Sequence, residues 1–183
     1  MDKLLVREDI AKLLSKNQIG VELGVAEGGF SESLLKNTDD SFHLFSIDMW
    51  AGDRGHDVNQ YNRCIKRLMP FKSRSSIIRS TFKNSLDIFP NDYFDFIYVD
   101  GYAHTGEENG QTFYDWWDKL KSGGVLAGDD YDRQVWNKVY TCVNSFCSKK
   151  NVSLNVIDNK PEHRKHMGTT WADKSPTWYI YKP

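Results

Sequence analysis

Apolar runs and helically spaced apolar positions alternate along the chain. Ile10, Leu13 and Leu14 recur at helical spacing and predict a short N-terminal helix. The run Ile19-Gly20-Val21-Glu22-Leu23 predicts a buried first strand, followed by a glycine-rich turn and a helix through residues 31–35. Residues 43–47 predict a second strand ending at Asp48. A polar loop over 50–59 leads to a helix over 61–69. Residues 76–79 predict a third strand and 82–89 a short helix. Residues 94–99 form a fourth strand ending at Asp100, with a helix over 108–120 behind it. Residues 124–127 form a fifth strand ending at Asp129 and Asp130, and a helix follows over 134–147. Residues 152–157 and 178–181 predict a closing antiparallel hairpin, with a long polar loop between its strands.

This alternation predicts an α/β fold: one domain with a doubly wound, mostly parallel sheet and an antiparallel C-terminal hairpin. The domain divides into an N-terminal helix (6–17), a core (18–157), a loop (158–176) and a last strand (177–182). At 183 residues, with 39% hydrophobic and 27% charged residues, the chain suits a packed single domain. The formal net charge of −1 argues against a nucleic-acid backbone as the main partner. Three cysteines without metal-ligand spacing suggest reduced thiols and a cytoplasmic location. No apolar run reaches membrane-spanning length, so no membrane association is expected.

The strongest local chemistry lies in the stretch from Val21 to Ser31. Its glycines, Gly24, Gly28 and Gly29, fail the GxGxxG spacing of a dinucleotide site. Glu22 and Glu27 would also place negative charge beside a diphosphate. A cationic nucleoside such as S-adenosylmethionine (SAM) suits those acids better. Asp48 follows the turn by about 20 residues, where a ribose-binding acid belongs, with a loop or helix cap as its alternative. Ser80 and Thr81 are either cofactor contacts or a cap for the helix starting at Phe82.

Glu22-Leu23-Gly24 through Gly28, Ile47-Asp48, Ser80-Thr81, Tyr98-Val99-Asp100-Gly101 and Gly123-Gly124-Val125-Leu126 resemble the successive motifs of class I SAM-dependent methyltransferases. The branch most resembled is that of macrocin O-methyltransferase and its cephalosporin-biosynthesis relatives. Two stretches carry that likeness: Val99-Asp100-Gly101-Tyr102-Ala103-His104 and Gly123-Gly124-Val125-Leu126-Ala127-Gly128-Asp129-Asp130-Tyr131. The resemblance implies a Rossmann-like sheet. It also implies cofactor contacts at Gly24, Asp48, Ser80, Thr81 and Asp100, and Glu22, Val25, Gly28, Ser31 and Met49 complete the expected cofactor-binding set.

Transfer of a methyl group to a hydroxyl requires the acceptor proton to leave, through a base or a metal. His104 is the expected base, with Asp100 and Asp130 as its catalytic companions. Asp100, Asp129 and Asp130 converge at neighbouring strand ends, and clustered carboxylates repel unless a cation neutralises them. By resemblance to catechol O-methyltransferase, these three acids are expected ligands for Mg²⁺, although Asp130 stands where that pattern has Asn. A helix-capping role for Asp130 or Asp132 is the alternative. The aromatic run Phe113, Tyr114, Trp116 and Trp117 is expected in the core, while Trp50 and Trp171 are expected to line the acceptor pocket. The expected acceptor is a small molecule or glycan, and specificity falls to the loops or to a second copy in a homodimer. Nucleic-acid or protein methylation, or a non-catalytic SAM-binding domain, are the competing readings.

Overall fold

A computed structural model describes residues 3–52, 56–100, 107–160 and 175–183. Its centre is a seven-stranded sheet in the order β3-β2-β1-β4-β5-β7-β6. The strands are β1 Ile19–Leu23, β2 His43–Asp48, β3 Ser75–Arg79, β4 Phe94–Val99, β5 Leu120–Gly128, β6 Asn155–Ile157 and β7 Thr177–Tyr181. The pairs among β1 to β5 are parallel, and β7 runs antiparallel to both β5 and β6. The expected antiparallel pair at the C-terminus is present, with β7 inserted between β5 and β6. The strand order reverses between β1 and β4, which opens a crevice at their carboxyl ends.

Among the described residues five α-helices cover the sheet: α1 Gly29–Asn37, α2 Val58–Leu68, α3 Phe82–Ser85, α4 Gln111–Trp117 and α5 Asn137–Lys150. From Phe96 onward alternation along β4 feeds two cores, and Phe94 at its start joins the first of them. Phe94, Ile97 and Val99 pack with Phe113, Trp116, Val143 and Phe146 on one face. Phe96 and Tyr98 pack with Ile10, Phe30, Leu34 and Leu68 on the other. Each such buried large side chain contributes roughly 1.5–3 kcal/mol. The aromatic run of α4 is therefore core, as its spacing suggested.

Several boundaries differ from the sequence pattern. The N-terminal element is a 3₁₀ turn, Arg7–Leu13, and Leu14 is already extended. Asp9 Oδ2 accepts from the backbone N–H of Leu5 and Val6, which fixes the start of that turn. β5 begins at Leu120 because its register with β4 shifts between Phe94 and Phe96. The fifth helix starts at Asn137, since Asp132 Oδ1 accepts from Gln134 N and Val135 N and holds those residues in a turn. Among the described residues no helix is long and apolar enough to cross a membrane.

Candidate functional site

β1 ends in a turn with three residues in left-handed backbone, two of them glycines and the third Ala26 at φ +49°. Gly24 has φ +94° and Gly28, the residue before α1, has φ +75°. The turn closes around Asp48 at the end of β2. Asp48 Oδ2 accepts from Val25 N and Ala26 N, both at 2.9 Å, and Oδ1 accepts from Trp50 N at 3.1 Å. Gly24 N donates to Ile47 O at 2.9 Å, so Gly24 and Asp48 sit side by side, as expected. The two loop N–H groups that could cradle a phosphate are already bonded to a carboxylate. An anionic diphosphate would meet that carboxylate rather than free donors.

Trp50 is fully buried. Its Nε1 donates to Ala26 O at 2.7 Å, and its ring lies 4.8 Å from that of Tyr61. This corrects its expected place in an acceptor pocket: the loop position concealed a side chain that clamps the glycine turn. Val25 contributes a buried side chain, its N–H to Asp48 and its carbonyl, which accepts from Gly28 N at 2.8 Å.

Glu22 and Ser31 require a second correction. Both lie beneath the turn, with Glu22 only 1% exposed and Ser31 closed to solvent. Ser31 Oγ hydrogen-bonds Glu22 and lies 3.1 Å from Ser46 Oγ. Burial pushes the Glu22 carboxyl up to about 8, against the Ser31 hydrogen bond and the nearby Arg7. Glu22 is thus neutral at pH 7 and supports the turn from inside, so its charge does not face the cleft. Glu27 points outward and pairs with Arg63 at 2.8 Å.

Past Asp48, Met49 is 40% exposed. Arg79 at the end of β3 donates to Met49 O and Trp50 O, at 3.2 and 3.0 Å. Ser80 N donates to Asp48 O at 2.9 Å. Thr81 Oγ1 accepts from Asn84 N at 3.1 Å and caps α3, the alternative role weighed for it. The ends of β2 and β3 therefore form one wall of the crevice.

The other wall carries the acids. Asp100 N donates to Leu23 O at 2.8 Å, which places Asp100 beside the turn. Arg7, from the N-terminal turn, reaches across the sheet to both strand ends. Its Nη1 lies 2.5 Å from Asp129 Oδ2 and 3.7 Å from Asp100 Oδ2, and its guanidinium sits 4.8 Å over the Phe30 ring. Thr177 Oγ1 donates to Asp129 Oδ1 at 3.0 Å. Burial, with Asp129 adding to it, raises the Asp100 carboxyl well above the usual range, while Arg7 opposes the rise. Asp130 is buried, with φ +61°.

This arrangement does not fit the expected Mg²⁺. Both oxygens of Asp129 are already bonded, and its side chain is closed to solvent. Mg²⁺ usually keeps several waters, which such a carboxylate cannot accommodate. Among the described residues no group of three His, Cys, Asp or Glu side chains is placed to hold a metal ion. Arg7 is the residue that the sequence pattern missed. Its nearest acid is 122 positions away, and no local signal connects them. His104 and Trp171 lie outside the described residues.

A reversed parallel sheet, a glycine turn clamped by an acid and a crevice at the strand ends define a nucleoside-binding α/β domain. A family model described as a methyltransferase domain matches residues 21–131, and the chain belongs to that family of class I, SAM-dependent methyltransferases. No curated protein matches the chain. Three solved structures illustrate its likeness in fold. The precorrin-6y C5,15-methyltransferase of Geobacter metallireducens GS-15 is 13% identical, with TM-score 0.67, over 100% of this chain and 93% of that one. The tRNA (m1A58) methyltransferase of Aquifex aeolicus is 17% identical, with TM-score 0.67, over 96% and 67%. An O-methyltransferase from Bacillus cereus, in complex with SAH, is 13% identical, with TM-score 0.65, over 90% and 74%.

Proposed function

We propose that the protein methylates a hydroxyl group of a small molecule or sugar, with SAM as donor. The observation that carries the donor's placement is the Asp48 carboxylate occupying the turn's N–H groups at the carboxyl end of β2, beside the crevice between β1 and β4. A ribose presents hydroxyl donors, and Asp48, which accepts three backbone N–H groups, keeps acceptor capacity for one of them while its carboxylate favours a cationic ligand nearby. The residues that would hold the cofactor are Gly24 and Gly28 of the turn, Asp48, Met49 and Ser80 on the wall formed by the ends of β2 and β3, and Asp100 on the opposite wall toward the methionine end. The donor supplies an electrophilic methyl group on sulfur. The chain's part is to hold the acceptor oxygen in line and to take its proton, and His104 is the residue proposed for that proton.

Thermal denaturation with SAM and S-adenosylhomocysteine tests the first step. At 100 times Kd, a rise in Tm of about 5–10 °C is expected. Transfer of labelled methyl from SAM to a panel of hydroxylated sugars and small phenols tests the second. His104→Gln is expected to lower turnover at least about 100-fold while leaving the SAM-induced shift intact. Absence of any shift at millimolar SAM overturns the reading. A shift without methyl transfer to any hydroxyl acceptor overturns the O-methylation part alone.

A further inference from the structure

We infer that Arg7 is the built-in counter-cation of the strand-end acids, standing where the family resemblance would put a divalent metal ion. Three observations carry this. A guanidinium nitrogen already contacts both Asp129 and Asp100, the acids at the ends of the two neighbouring strands β5 and β4. Asp129 is buried, and Thr177 binds its second oxygen. Arg7 is itself held rather than tethered loosely. Asp9 caps the turn that carries it, Ile10 and Ala11 of that turn are buried against α1, and Phe30 lies under its guanidinium.

A buried carboxylate beside a second acid needs a positive charge close by, and a guanidinium supplies one without water ligands. The compensating cation is therefore part of the chain. It cannot be chelated away, and its presence depends on docking of the N-terminal turn. Loss of that turn would expose the same acids as an uncompensated cluster.

The test uses the full chain and needs neither SAM nor an acceptor, so it stands or falls apart from the methyltransferase reading. Binding of Mn²⁺ is followed by electron paramagnetic resonance, and Tm is measured with Mg²⁺, with Mn²⁺ and with EDTA. For the wild-type chain no saturable Mn²⁺ binding and no Tm response to ion or chelator are expected. Arg7→Met is expected to lower Tm by on the order of 10 °C, because it strands a buried charge. Asp129→Asn added to Arg7→Met is expected to recover a large part of that loss, since neither charge then remains.

Saturable Mn²⁺ binding to the wild-type chain that Asp129→Asn abolishes would overturn the inference. So would Tm losses in the two single variants that simply add in the double variant. If Arg7→Met does not fold, the double variant and the wild-type Mn²⁺ measurement still decide: a double variant no more stable than Arg7→Met overturns the coupling.

Discussion

Glu22 lies in a signature stretch but behaves as a core residue. Its pKa rises from 4.5 to about 8 on burial, so the folded chain holds this proton more tightly than the unfolded chain does. The associated stability is fully present below about pH 4.5 and is lost as pH rises through about 8. Glu22→Gln keeps a neutral partner for Ser31 and removes the titration. The variant is expected to match wild type near pH 5 and to exceed it at pH 8.5 by on the order of a few kcal/mol. Urea denaturation across that range checks this, and equal pH slopes for the two proteins would refute it. The same residue shows where sequence reasoning about the site stopped. Gly24, Gly28 and Asp48 were legible because backbone conformation and strand-end position demand those residue types. Glu22 was misplaced because a strand motif does not state which face a side chain takes. Arg7 was invisible because its importance arises only when the first turn meets the ends of β4 and β5.

The turn between β1 and α1 is the element on which the site depends. Gly28 adopts φ +75°, and a Cβ there would come within 3.1 Å of Cys64 Sγ and 3.4 Å of Leu68 Cγ, both on α2. Gly28→Ala therefore meets a left-handed backbone cost of about 1–2 kcal/mol as well as a clash with α2. A lowered urea midpoint and a weakened SAM-induced Tm shift are expected together, because α1 would tilt the turn away from Asp48. A variant with wild-type stability and SAM response would show that the turn tolerates a side chain. At this scale most of the fold was legible: strands buried on both faces read as continuous apolar runs bounded by turns. What escaped were ends set by side chains acting on backbone. Asp9 makes a 3₁₀ turn of the first helix and Asp132 delays α5, while a register shift against β4 lengthens β5. Periodicity carries no information about such capping bonds.

Across the whole molecule a net charge of −1 conceals an uneven distribution. Residues 58–86 contain Arg63, Lys66, Arg67, Lys72, Arg74, Arg79 and Lys83, and no Asp or Glu. This stretch spans α2, the edge strand β3 and α3, so it forms one side of the domain. The tertiary structure answers part of that charge: Arg63 and Arg67 pair with Glu27, Arg67 also with Glu32, and Arg74 with Asp40. Arg79 spends its donors on the carbonyls of Met49 and Trp50 but keeps its charge. Lys66, Lys72 and Lys83 are exposed, with no ion pair among the described residues. That leaves Arg79 and these three lysines as uncompensated cations for a polyanion. Each phosphate contact contributes about −0.7 to −0.9 to the slope of log affinity against log salt. Four contacts thus predict a slope between about −3 and −4, with weak binding that fades at physiological ionic strength. A fluorescence titration of labelled tRNA from 0.05 to 0.3 M salt measures it. That outcome agrees with a small-molecule or sugar acceptor and with a basic side that is mostly solvated. A slope steeper than about −6, with tight binding retained near 0.15 M salt, would mean that these ion pairs open onto RNA, and the acceptor assignment would pass to nucleic acid.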